Sequence, residues 1–83
     1  MTEFKFYDDH LFILHLNIAR FRRERGWTQE QLAEKAGVSV SYLASLEAPN
    51  SDIAPSFRVQ CNLAYALGVE PSDLTEMDGE VVQ

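Results

Sequence analysis

No part of this chain restricts its fold as tightly as TQEQLAEKAGVSVSYLASLEAPN, residues 28–50. Thr28 suits a helix N-cap, because its hydroxyl can accept from a backbone N–H of the first turn, and Gln31 can return the favour as the other half of a capping box. The spacing predicts a helix to about residue 36 with Leu32, Ala33 and Ala36 facing inward. Gly37 then supplies the positive φ of a tight turn at low steric cost. Ser39 caps a second helix, residues 40 to about 48, which buries Leu43 and Leu46. Two helices this short, joined by so few residues, cross steeply only where their contact is small. Ala33 permits the approach, and Val38 plugs the space beneath the turn. An ordinary αα-hairpin in a helical core is the plain alternative.

The flanking segments read as more helix. Residues 1–8 form a short N-terminal arm, because Phe4 and Phe6 alternate with Glu3 and Lys5 in a strand-like way. Asp8 or Asp9 caps a first helix running to Arg25, with Gly26 as its stop. On it Leu11, Leu14, Ile18 and Phe21 make one buried stripe. Phe12, Ile13 and Leu16 fall outside that stripe: either the arm folds over them or a second subunit does. Pro55 and Ser56 open a fourth helix with Phe57, Leu63, Ala64 and Leu67 inward and Gly68 at its end. Pro71 starts a fifth, short one, with Leu74 and Met77 available for packing. Residues 9–77 thus form one all-α bundle of five helices, and 78–83 a frayed acidic tail.

With 83 residues the chain has room for one domain. A domain of that size buries only roughly 60–65% of the surface its unfolded form exposes, so a partner subunit would help. No apolar run is long enough to span a bilayer, and the acidic start lacks the basic region of a secretory signal. One Cys cannot form an internal disulfide, and His10 and His15 are five apart, so no metal site is expected. Cys61 reads as a buried thiol in a reduced, cytoplasmic setting. No nucleophile–base pair or phosphate loop is present, so neither enzymatic activity nor a cofactor or small-molecule ligand is expected. The formal net charge is −6. It is unevenly spread: residues 11–46 hold five bases against three acids, whereas residues 47–83 hold seven acids against Arg58 alone. Exposed charges are screened beyond about 8–10 Å, so local placement outweighs the sum.

The segments NIARFRRERGWTQEQLAEKAGVS, SYLASLE, PSF, LAYALGV and PSDL make residues 14–76 resemble the Cro/CI-type (Xre-like) helix-turn-helix domain of bacterial and phage regulators. The resemblance implies a compact lambda-repressor-like fold, a third helix lying in the major groove, and a homodimer on a near-palindromic operator in double-stranded DNA. It implies a transcriptional regulator, a repressor or autoregulator. Gln29 takes the position that touches a phosphate and braces the recognition helix, and the N–H groups around Thr28 favour an anion. Arg22 and Glu47 match a structural ion pair, with Arg22 also turned to phosphate. Val40, Ser41 and Ser45 match positions that face base edges, and Ser39, Tyr42 and Asn50 complete the DNA-binding set. Val40 and Ser45 stand where family members often carry Arg, Lys or Gln, so each subunit would bind modestly.

Arg20, Arg23 and Arg25 form either a solvated face or further phosphate contacts. Trp27 reads as core, and Tyr42 lies near the groove. The candidate dimer surface is Phe12, Ile13, Leu16, Leu74 and Met77. The alternative function is a protein-interaction adaptor or antitoxin-like partner that keeps the scaffold without binding DNA.

Overall fold

A computed structural model describes residues 2–48 and 50–76, with side chains from residue 6 onward. Four α-helices follow one another: α1 (Thr2–Glu24), α2 (Gln29–Ala36), α3 (Val40–Glu47) and α4 (Phe57–Leu67). A 3-10 helix, Pro71–Thr75, closes the order. The described residues include no strand, and none of their helices is long and apolar enough to cross a membrane.

Leu14, Ile18, Leu32, Ala33, Ala36, Leu43, Leu46, Leu63, Ala64, Leu67 and Leu74 form a single core drawn from every element. Ile18, Leu32, Leu43, Leu46, Leu63 and Leu74 have no measurable exposure. Each buried aliphatic side chain of this size contributes about 1.5–3 kcal/mol of transfer free energy, which conformational entropy largely offsets. Phe21, Trp27, Val38 and Tyr42 pack around this core from its margins.

The helix ends follow from local chemistry. The Thr28 hydroxyl accepts from the Gln31 N–H and the Gln31 side chain accepts from the Thr28 N–H, a complete capping box. Ser39 and Ser56 accept from the N–H groups of Tyr42 and Val59. At Gly37 the chain is left-handed, φ 73°, and the N–H groups of Gly37 and Val38 donate back to Glu34 and Ala33. That double return is a Schellman motif, with Val38 supplying its apolar contact. Gly68 and Val69 end α4 in the same way.

Several expectations need correction. The N-terminal arm is not an arm: residues 2–8 are helical, and Asp8 and Asp9 lie exposed inside α1 rather than capping it. No Gly or Pro interrupts residues 2–24. The contact between Phe6 and His10, with ring centroids 4.1 Å apart, is an i,i+4 pair that only a helix brings together. His10 Nδ1 also donates to the Phe6 carbonyl at 2.8 Å. The fifth element is a five-residue 3-10 helix, not an α-helix. Pro71 opens it, and Asp73 accepts from the Glu70 N–H at 2.8 Å to close the turn. Phe57 is 70% exposed and not part of the α4 stripe. It lies six residues before Leu63, about 240° around the helix from it. Leu74 is wholly buried and cannot lie on a dimer surface. Met77 and the tail 78–83 lie outside the described residues.

Candidate nucleic-acid interface

The α2–turn–α3 unit offers one continuous outer surface. Leu43 and Leu46 hold the inner side of α3 in the core, which turns Val40, Ser41, Ala44 and Ser45 to solvent. These four fall at i, i+1, i+4 and i+5, one face of a helix. The face carries no formal charge, and its polar atoms are two serine hydroxyls. Ala44 belongs to it although sequence reasoning passed it over; the i,i+4 relation to Val40 was the available signal.

Behind this face sits a polar hub. Arg22 Nε donates to Glu47 Oε2 and Nη2 to Glu47 Oε1, both at 2.8 Å, a two-pronged pair. Arg22 Nη1 also donates to the Trp27 carbonyl at 2.8 Å. Gln29 Nε2 donates to Glu47 Oε1 at 3.0 Å. The end of α1, the start of α2 and the end of α3 thus meet at one carboxylate, and Arg22 ties the loop into α2 to the same hub. The Glu47 side chain is 3% exposed and that of Arg22 11%. The Glu47 hydrogen bonds hold the Arg22 pKa above its ordinary value, outweighing the burial that opposes them.

The hub settles where several candidate side chains point. Arg22 spends three donors inside the protein, which leaves little of it for a phosphate. Gln29 reaches Glu47 and so braces α3. Thr28 and Ser39 use their hydroxyls as caps, which leaves the first N–H groups of α2 and α3 at the surface. Tyr42 is half-buried against the core. Asn50 is exposed in the turn after α3, where the Ser51 N–H donates to the Ala48 carbonyl.

The remaining cations have divergent roles. Arg25 Nε donates to the Leu67 carbonyl and Nη1 to the Phe21 carbonyl, both at 2.8 Å, so it clamps α1 to the end of α4. Arg20 pairs with Glu24 at 3.0 Å and donates to Asn17 Oδ1. Lys35 lies over the Trp27 ring, 4.7 Å from its centroid. Arg23 and Arg58 are exposed. Two polar residues are buried, in structural roles that the sequence did not reveal. Asn17 Nδ2 donates to the carbonyls of Leu74 and Glu76, at 3.0 and 2.8 Å, fixing the 3-10 helix. His15 Nε2 donates to the Ile53 carbonyl at 2.8 Å and anchors the loop before α4. A His and an Asn beside a buried stripe were the signal, but their carbonyl partners lie too far along the chain to be inferred.

The profile of the helix-turn-helix family matches residues 18–74. An uncharacterised HTH-type transcriptional regulator, y4dJ, of Sinorhizobium fredii is 43% identical over 58 residues, 70% of this chain and 73% of its own. The HTH-type transcriptional regulator SinR of Bacillus licheniformis is 37% identical over 70 residues, and the match spans 77% of this chain but only 62% of SinR. Among solved structures, a hypothetical transcription factor from Neisseria superposes with a TM-score of 0.72 at 31% identity, over 84% of this chain and 78% of that one. The SinR chain of a SinR–SinI complex gives 0.71 at 33% identity, over 84% and 67%. By profile, sequence and fold, the chain belongs to the Cro/CI-type helix-turn-helix family of DNA-binding transcriptional regulators.

Proposed function

We propose that the chain regulates transcription by binding a specific double-stranded operator as a homodimer, as a repressor or autoregulator, with the outer face of α3 in the major groove. One observation carries the reading. Val40, Ser41, Ala44 and Ser45 form an exposed ridge, and α3 is locked from behind by the Arg22–Glu47–Gln29 hub. A groove needs a helix that stays in one orientation, and the hub supplies that. Val40 and Ala44 offer apolar contact to thymine methyls, and Ser41 and Ser45 bond any base edge weakly. Backbone N–H groups at the starts of α2 and α3 supply anchors for phosphate.

Ser41→Glu tests this directly. It adds a carboxylate at an exposed position, so the fold and its thermal midpoint stay as they were, while binding of a promoter fragment measured by fluorescence anisotropy is abolished. Retained binding would put the DNA contact elsewhere on the molecule.

The second reading is an adaptor or antitoxin-like module that binds protein and not DNA. Charge favours it: Arg22 and Glu47 cancel each other, and residues 28–48 otherwise carry Glu30 and Glu34 against Lys35. A SinR chain in complex with SinI shows that a relative with this fold can hold a protein partner. A pure, folded chain that shifts no duplex in dilute buffer would decide for the adaptor.

A further inference from the structure

The outer side of α1 carries a second regularity, one that core packing leaves unused. Phe6, Asp9, Ile13, Leu16, Arg20 and Arg23 recur at alternating spacings of three and four residues. That is the repeat which keeps one seam of a helix against another helix. Leu14 and Ile18, which seat α1 in the core, lie on the opposite side. Leu16 is 51% exposed, Phe6 64%, and Phe12 beside the seam 52%. Because residues 2–8 prolong α1 and do not fold back, they leave these side chains uncovered.

Charge is polarised along the same seam. Asp8 and Asp9 precede the apolar stretch, and Arg20 and Arg23 follow it, with Glu24 paired to Arg20. Laid antiparallel about a two-fold axis between residues 13 and 16, two such helices set Ile13 of one copy against Leu16 of the other. The same register brings Asp9 of one copy to the turn at residues 20–23 of the other. A parallel pairing would set acid on acid and base on base, which is unfavourable.

We propose that this face docks a second copy of the chain through an antiparallel α1–α1 seam, with Ile13 and Leu16 at its centre, Phe12 flanking them, and Asp9 opposite Arg20 and one turn from Arg23 at each end. The inference rests on the homodimer reading above and names its surface; it does not depend on DNA.

Sedimentation equilibrium of the full chain tests it. The wild type is a dimer whose dissociation constant rises with salt. Leu16→Glu weakens association by about a hundredfold or more, because the two-fold brings like charges into an apolar seam. Its helical circular dichroism stays unchanged, since Leu16 lies outside the core, while its thermal midpoint falls to that of the folded monomer, because association stabilises the folded chain by mass action. Asp9→Arg weakens association, and adding Arg23→Asp, one turn from the position opposite residue 9, restores part of the loss by exchanging the charges at each end of the seam. If Leu16→Glu remains as dimeric as the wild type, the α1 surface is wrong while the homodimer reading survives. If the wild type is a monomer at every concentration, both fail, and the face belongs to residues 77–83 or to an unrelated protein. If the charge exchange rescues nothing, the antiparallel arrangement is overturned.

Discussion

Arg22 and Glu47, joined by Gln29, connect three helices through three side chains, and the environment of the ion pair fixes what substituting either partner does. Their side chains are 11% and 3% exposed. Removing one partner leaves the other charged in a setting that water scarcely reaches. Glu47→Ala is expected to cost about 3 kcal/mol, the lower end for breaking a buried pair, because Arg22 keeps the Trp27 carbonyl and some solvent. In a domain this small that lowers the thermal midpoint by roughly 12–24 °C, read by circular dichroism. Replacing both partners, Arg22→Met with Glu47→Leu, is expected to recover most of the loss, since neither charge is then stranded. The double variant also separates bracing from phosphate contact. If it is stable yet binds DNA more weakly, Arg22 contributes to the interface as well as to the fold. The raised Arg22 pKa gives the pH sense of the pair. Its contribution is complete below the ordinary guanidinium range and is lost only as pH climbs through the raised value.

The elements differ in how far their limits could be read from residues alone. Starts and stops made by neighbours were legible: Thr28 with Gln31, Ser39, Ser56, and the glycines at 37 and 68 act within a few residues of themselves. The start of α1 was not, because no local stop marks it and the alternation of Phe4 and Phe6 imitates a strand. Helix growth from residues 9–24 overrides that alternation, because extending an existing helix costs far less than nucleating one. The 3-10 helix was half legible: Pro71 announced a start, but its anchoring depends on Asn17, far away in sequence. In the candidate site the exposed ridge on α3 followed from the burial of Leu43 and Leu46. The sharing of Glu47 between Arg22 and Gln29 depends on how three helices meet and could be read only by resemblance. Gly37 supports a prediction at this scale. A Cβ there would meet nothing within 4 Å, so the cost of Gly37→Ala is backbone strain alone. It is expected to destabilise by roughly 1–2 kcal/mol, seen as a lower urea midpoint at unchanged slope.

For the molecule as a whole, the distribution of charge sets the terms of any encounter with a polyanion. The net charge of −6 repels DNA at long range, and the repulsion fades beyond about 8 Å at physiological salt. Under the proposed function, attachment would then depend on a few short-range anchors, for which the helix N-termini, Asn50 and exposed arginines are the candidates. If two to four phosphates are neutralised per dimer, the logarithmic affinity falls with logarithmic salt at a slope of about −2 to −4. Anisotropy titrations at several salt concentrations measure it. A flat response would remove electrostatic attachment to DNA from consideration.

The short side chains on the outer face of α3 have a thermodynamic consequence for the proposed complex. A long cation pressed into a groove gives up as much as about 2 kcal/mol of rotamer freedom, whereas alanine forfeits none. Val40, Ser41, Ala44 and Ser45 therefore come to the duplex already nearly frozen. What the ridge lacks in attraction it partly regains by having so little disorder to surrender.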